Sequence, residues 1–179
     1  MQNKSVQALL ATIVLLIVTI LFAYLFYRTG VRAAATGTSS TAGTSMYGLA
    51  FKDFSGKDVH LYDYRRKPVV VYAWASWCPY CGPEMQHLAE VQAQYSDRIQ
   101  IVAINRGEAH ATAKDYADKF GVAGKLIFLL DMSDAYFKSI GGYAMPETLY
   151  INAAGETVSH TRGPAKPGEV DVLVETLLK

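Results

Sequence analysis

Cysteine is nearly absent from this chain: of 179 residues only Cys78 and Cys81 carry a thiol. Two cysteines exclude a disulfide-stapled scaffold, which needs several bridges. Surplus charge is lacking as well, with 17 basic and 16 acidic side chains and a formal charge of +1. A chain without a basic excess has no electrostatic footprint for nucleic acid, and that class of partner is set aside. Histidine is scarce. His60, His87, His110 and His160 are scattered, with no close His–His pair. A structural zinc site needs four ligands, and this supply suits one poorly. There is no repeat of solenoid length and no low-complexity core.

A long apolar run is present. Val6 to Tyr27 reads "VQALLATIVLLIVTILFAYLFY", without a charge. About 20 apolar residues span a bilayer as a helix. Tyr24 and Tyr27 fall near one end, where amphipathic rings favour the interface. A cleaved signal peptide is the alternative, with "AAA" at 33–35 as its cleavage site. Its apolar region would be shorter, about 7–15 residues. Residues 6–28 are therefore expected to form a retained transmembrane anchor in the lipid bilayer, after a flank at 1–5. Residues 29–46, rich in Gly, Ser and Thr, are expected to be a flexible tether. Lys4 against Arg28 and Arg32 leans weakly towards a cytoplasmic C-terminal side. The lack of stray cysteines leans the other way, towards an oxidising compartment.

A single domain is expected over residues 47–179. "LAFKDFSGKDVHLYDY" reads as a hairpin around Ser55–Asp58. "PVVVYAW", residues 68–74, is a continuous β-branched and aromatic run that suits a strand buried on both faces. Met85, Leu88, Ala89, Val91, Gln92 and Tyr95 have helical spacing. A second strand over 99–105, a helix over 109–120 ended by Gly121, and a third apolar run "KLIFLL" follow. Then come a short helix in "MSDAYFKSI", a hairpin of "ETLYIN" and "TVSHT", and a closing amphipathic helix. This order makes an α/β fold: a mixed central sheet with helices on both faces.

Both cysteines stand where the buried strand ends and a helix begins. Unpaired backbone N–H groups and the helix dipole stabilise an anion there. Cys78 is expected to be the N-cap-like residue and the nucleophile. Cys81, one turn in and less exposed, would resolve the mixed disulfide. A CxxC pair at a helix N-terminus lowers the first thiol's pKa. Pro79 suits the first turn, where its missing N–H costs nothing.

"WASWCPYC" after a buried strand resembles the active site of the thioredoxin superfamily. More narrowly, residues 47–179 resemble the membrane-anchored TlpA/ResA/CcmG (DsbE) group of thiol-disulfide oxidoreductases. The leader "FKDFSGKDVHLYDYRRKPVVVYAWASWC", Glu84–Met85 after Cys81, "GGYAMPETLYINAAGETV" and the N-terminal anchor carry this likeness. The resemblance implies a thioredoxin-like fold, a redox disulfide between Cys78 and Cys81, and a cis Met145–Pro146 bond facing it. It also implies that Trp77, Pro79, Tyr80, Met145 and Pro146 contact substrate. Two departures stand out. Tyr72 occupies the position of the superfamily's buried proton-accepting Asp, which leaves Glu147 or Glu84 as proton acceptor. Glu84 as an ordinary first-turn carboxylate, and Trp77 as a packing residue, are the plainer alternatives. Gln86 stands where the helix-kinking proline is usual, and Pro83 comes early.

Thiol–disulfide exchange needs no dissociable cofactor. The implied function is reduction of specific protein disulfides outside the cytoplasm, of the cytochrome c maturation type. A membrane thiol reductase of the CcdA/DsbD type would recharge the dithiol. A general disulfide oxidant remains open, as does a copper metallochaperone, although the latter usually has C-x-x-x-C spacing.

Overall fold

In the computed structural model of the chain, residues 13–25 and 46–179 are described. The chain divides into two units, residues 1–42 and 43–179. In the first, residues 13–25 form helix α1, exposed along its length. Among the described residues no helix is long and apolar enough to cross a membrane. The remainder of the expected 6–28 anchor, the 1–5 flank and the tether up to residue 45 lie outside the described residues.

The second unit begins with a 3-10 turn, Met46–Gly48, one residue before the expected start. Strands β1 (Ala50–Asp53) and β2 (Asp58–His60) form the expected antiparallel hairpin. A 3-10 turn over Leu61–Tyr64 then leads into β3 (Val69–Trp74). After it come α2 (Cys81–Tyr95), β4 (Gln100–Arg106), α3 (His110–Lys119), β5 (Ile127–Asp131) and α4 (Ala135–Ser139). The chain closes with β6 (Glu147–Ile151), β7 (Thr157–Arg162) and α5 (Glu169–Leu177).

One seven-stranded mixed sheet results, in the order β2-β1-β5-β4-β3-β6-β7. β3, β4 and β5 are parallel neighbours; β6 pairs with β3 antiparallel. Parallel neighbours need crossovers, which α2 and α3 supply. All six residues of β3 are buried, as its unbroken apolar run requires. Val70, Tyr72 and Trp74 pack on one face with Met85 and Leu88 of α2, Ala113 and Ala117 of α3, and Val170 and Val174 of α5. Val69, Val71 and Ala73 pack on the other with Tyr136 and Phe137 of α4.

Helix α2 runs unbroken from Cys81 to Tyr95. Pro83 lies in its first turn, where no intrahelical acceptor waits for the missing N–H. Gln86, at the usual kink position, donates from Nε2 to the Phe120 carbonyl at 3.0 Å. Gly82 lets the first turn of α2 approach the end of α3, because a Cβ there would overlap the Phe120 ring. Gly82→Ala is expected to destabilise the domain by about 1–3 kcal/mol through overpacking. Urea unfolding of both proteins checks this; an unchanged midpoint would show that Phe120 yields freely.

Candidate active site

Register brings three distant segments to one end of the sheet. Trp74, the last residue of β3, pairs with Asn105 near the end of β4. Ala73 pairs with Glu147, the first residue of β6. The loop 75–80, the turn after β4 and the segment before β6 therefore converge.

Cys78 and Cys81 are joined by a disulfide with Cα atoms 5.4 Å apart. Helix α2 starts at Cys81 with Tyr80 as its N-cap residue. Cys78 thus precedes the helix instead of capping it. A turn links the two, with Cys78 N–H donating to Ala75 O at 3.1 Å and Cys81 N–H to Cys78 O at 3.3 Å. The expected contrast in exposure is small in this oxidised state: Cys78 is 1% exposed and Cys81 0%. Their settings differ more. Cys78 sits on the loop between Trp77, 61% exposed, and Tyr80, 57% exposed. Cys81 is fixed in the helix, and the Tyr72 hydroxyl donates to its carbonyl at 3.2 Å. Trp77 is therefore not a core residue. It stands open beside the disulfide with Pro79 and Tyr80, as a substrate-contacting surface requires.

Burial, reinforced by the Glu84 charge, holds the Tyr72 phenol well above its ordinary range. It stays a neutral donor and cannot act as the missing base. The Met145–Pro146 bond is cis. Pro146 is buried and Met145 half-buried, and Met145 packs against the cluster that contains both cysteines. The β3–β6 ladder opens at the Ala73–Glu147 pair. The Met145 backbone lies just beyond it, where an incoming peptide strand could pair.

The two candidate carboxylates separate. Glu147 is wholly buried, but its position beside Pro146 turns it from the dithiol. Strand side chains alternate faces, so Glu147 shares the side of Leu149 and Ile151, opposite the cysteines. Its Oε1 accepts from the backbone N–H groups of Tyr143 (2.7 Å) and Ala144 (2.9 Å). Its Oε2 meets His160 Nε2 at 2.8 Å. The expectation that Glu147 exchanges protons with the dithiol is corrected: it holds the loop ahead of the cis-proline.

Glu84 lies on the cysteine side, one turn from Cys81. Its Oε2 accepts from Ala165 N–H at 3.1 Å, and its Oε1 is buried without a protein partner. Burial first, then the Glu169 charge, pushes its pKa up; the Ala165 N–H and His87 oppose this. Glu84 also lines a groove of about 420 Å³ with Tyr80, Pro83, His87, Pro164 and Asp171. Such a carboxyl, one turn after Cys81, holds its proton to higher pH than an exposed one, as a group that donates or accepts protons needs.

A further positioning device was not anticipated from the sequence. Glu108 accepts from Ser76 N–H (2.8 Å), Ser76 Oγ (2.5 Å) and Asn105 Nδ2 (2.6 Å). It thereby pins the loop that carries Trp77 and Cys78. Tyr116, stacked on buried Trp74 at 5.5 Å, donates to Cys78 O at 3.2 Å. The histidines are each engaged: His87 with Asp171, His110 with Phe54 O, His60 with Leu49 O, His160 with Glu147. Among the described residues, no group of three His, Cys, Asp or Glu is placed to hold a metal ion.

A disulfide at the head of α2 and a cis-proline just before the neighbouring strand β6, on one mixed sheet, make a thioredoxin-like fold. Residues 39–177 match the Redoxin family, and the chain belongs to it. It is 27% identical over 154 residues to the thiol-disulfide oxidoreductase ResA of Halalkalibacterium halodurans, covering 84% of each chain. It is 23% identical over 176 residues to ResA of Geobacillus thermodenitrificans, covering 98% of each. Among solved structures it resembles a thiol:disulfide interchange protein DsbE from Chlorobium tepidum, with TM-score 0.67 and 22% identity over 73% of this chain and 93% of that one. The DsbF structure from MTB gives TM-score 0.67 at 21% identity, over 74% and 96%. The chain is a thiol-disulfide oxidoreductase of the Redoxin family, similar to the ResA proteins in sequence and to DsbE in fold.

Two outcomes are expected from this geometry. A carboxyl with a raised folded-state pKa binds more protons folded than unfolded, so its stabilising contribution is full in acid. That contribution fades as pH rises from its ordinary 4.5 through the raised value. Glu84→Gln should remove this component, so the variant gains on the wild type as pH rises through that window. Parallel stability–pH curves from urea unfolding would show that Glu84 is not displaced. Glu108→Ala strips three donors of their acceptor and should cost about 1–3 kcal/mol. It should also slow disulfide exchange by loosening Ser76; an unchanged stopped-flow rate would reduce Glu108 to a purely structural contact.

Proposed function

We propose that this protein is a membrane-tethered, extracytoplasmic reductant of specific protein disulfides, of the kind that serves cytochrome c maturation. The observation that carries this reading is the buried Cys78–Cys81 pair presented between exposed Trp77 and Tyr80. In reduced enzyme the Cys78 thiolate attacks one sulfur of a substrate disulfide. A Cys78–substrate bond forms and a substrate thiolate leaves. Cys81, deprotonated, then attacks Cys78 Sγ and releases the second substrate thiolate. The substrate gains two electrons and the enzyme ends as the Cys78–Cys81 disulfide. A membrane thiol reductase of the CcdA/DsbD type would return those electrons.

The reductant direction is supported by the dithiol's surroundings. Pro79 and Tyr80 put no cation between the cysteines, and the acidic residue of the first turn of α2 is Glu84. Neither stabilises a Cys78 thiolate, so the strongly oxidising, thiolate-stabilised state is not favoured. The tether is supported by the uncharged run 6–27, and the compartment by the absence of further cysteines.

Cys81→Ser should accumulate mixed disulfides with substrate, and Cys78→Ser should not. Non-reducing electrophoresis reads this out; equal trapping by both variants would overturn the assignment of Cys78 as nucleophile. Protease added to intact spheroplasts should degrade residues 47–179, and full protection would refute the extracytoplasmic placement.

A further inference from the structure

Two buried polar atoms on the face of the sheet that α2 covers lack a protein partner, and they are chemically complementary. Glu84 Oε1 is an acceptor and the Tyr150 hydroxyl is a donor. Buried polar groups are almost always paired, to protein or to an internal water. Tyr150 is wholly buried. It lies on β6 opposite Val70, and Thr148 lies opposite Tyr72. Tyr150 and Tyr72 therefore project from neighbouring strands onto the face that α2 and α5 cover. Glu84, in the first turn of α2, sits over that face. Thr148 Oγ1, one pleat nearer the dithiol on the same strand, is a third buried atom without a protein partner.

We propose that the Tyr150 hydroxyl serves as hydrogen-bond donor to the buried oxygen of Glu84 through one internal water, and so sets how readily Glu84 takes the Cys81 proton. This rests on the reading of Glu84 as the proton acceptor for the resolving thiol. The charge of Glu84 acts on both Tyr72 and Tyr150, which places it within electrostatic reach of the two rings. Burial keeps the Tyr150 phenol protonated, so it can only donate to the carboxylate.

A donor to the carboxylate favours its ionised form. Glu84 is otherwise pushed towards the neutral acid, which cannot accept a proton. The other groups around it are His87 on α2, Glu169 and Asp171 on α5, Lys166 in the turn lining the groove, and Tyr72 on β3. None of them supplies a donor to Oε1. In the step itself the Cys81 thiol gives its proton to the Glu84 carboxylate. The Cys81 thiolate then attacks Cys78 Sγ, the Cys78–substrate bond breaks, and the departing substrate thiolate is protonated by Glu84 or solvent. Tyr150 is a positioning residue: it touches no reacting sulfur.

The test is the pH dependence of mixed-disulfide resolution in the full-length protein. Wild type, Tyr150→Phe, Glu84→Gln and the double variant are compared in single-turnover stopped flow. Tyr150→Phe should move the limb set by Glu84 to higher pH by about one unit, a tenfold loss of rate on that limb, and leave the plateau unchanged. The double variant should match Glu84→Gln alone. Replacing Tyr150 by 3,5-difluorotyrosine keeps the shape and strengthens the donor, so it should move the limb to lower pH. If Glu84→Gln abolishes the limb but both position-150 variants superimpose on wild type, the Tyr150 inference falls and Glu84 stands. If Glu84→Gln leaves the profile unchanged, both fall.

Discussion

Everything at the active end depends on the burial of β3 on both faces. Six consecutive residues from Val69 to Trp74 are buried. The strand is gripped by β4 on one side and β6 on the other. That leaves the chain no freedom where it leaves the sheet. The loop from Ala75 emerges beside the ends of β4 and the start of β6, where Glu108 and the cis-proline segment receive it. Fixing each backbone residue costs about 1–2 kcal/mol in entropy. The apolar burial of this strand offsets much of that cost at the one place where precise placement matters.

The chemistry follows from the same alternation of faces. Thr148 and Tyr150 take the face of the sheet that carries the cysteines, and Glu147 takes the other. Two glutamates that are both close to the site in chain terms therefore do different work. Glu147, paired with His160 and two backbone N–H groups, holds the loop. Glu84 keeps a half-buried carboxyl with one unserved oxygen, one turn after the resolving thiol in α2. Where a buried acid is usual beneath such a dithiol, this chain has a phenol that donates to the Cys81 carbonyl.

Much of this was legible in the sequence because it is local. The unbroken run of β3, the helix spacing after Cys81, the Gly-ended helix before residue 121 and the Pro146 strand each carry their own signal within a few residues. The short helix over Ala135–Ser139 and the terminal β6–β7 hairpin were equally clear. What escaped depends on pairing across the chain. The direction of Glu147 required the register Ala73–Glu147, since one residue's shift reverses the face. The Glu108–Ser76 clamp joins residues 32 apart and leaves no periodic trace. The helix start at Cys81 instead of Cys78 reflects a turn closed by Cys81 N–H on Cys78 O, a detail that residue preferences do not resolve.

The central claim is that Cys78 and Cys81 form a reversible two-electron couple. A redox titration of the full-length protein in graded dithiol–disulfide buffers, read by quantitative alkylation of both thiols, tests it most directly. The account predicts a single transition with the slope of two electrons, lost when either cysteine is replaced. Two independent one-thiol transitions, or thiols that stay locked in one state across the range, would contradict it.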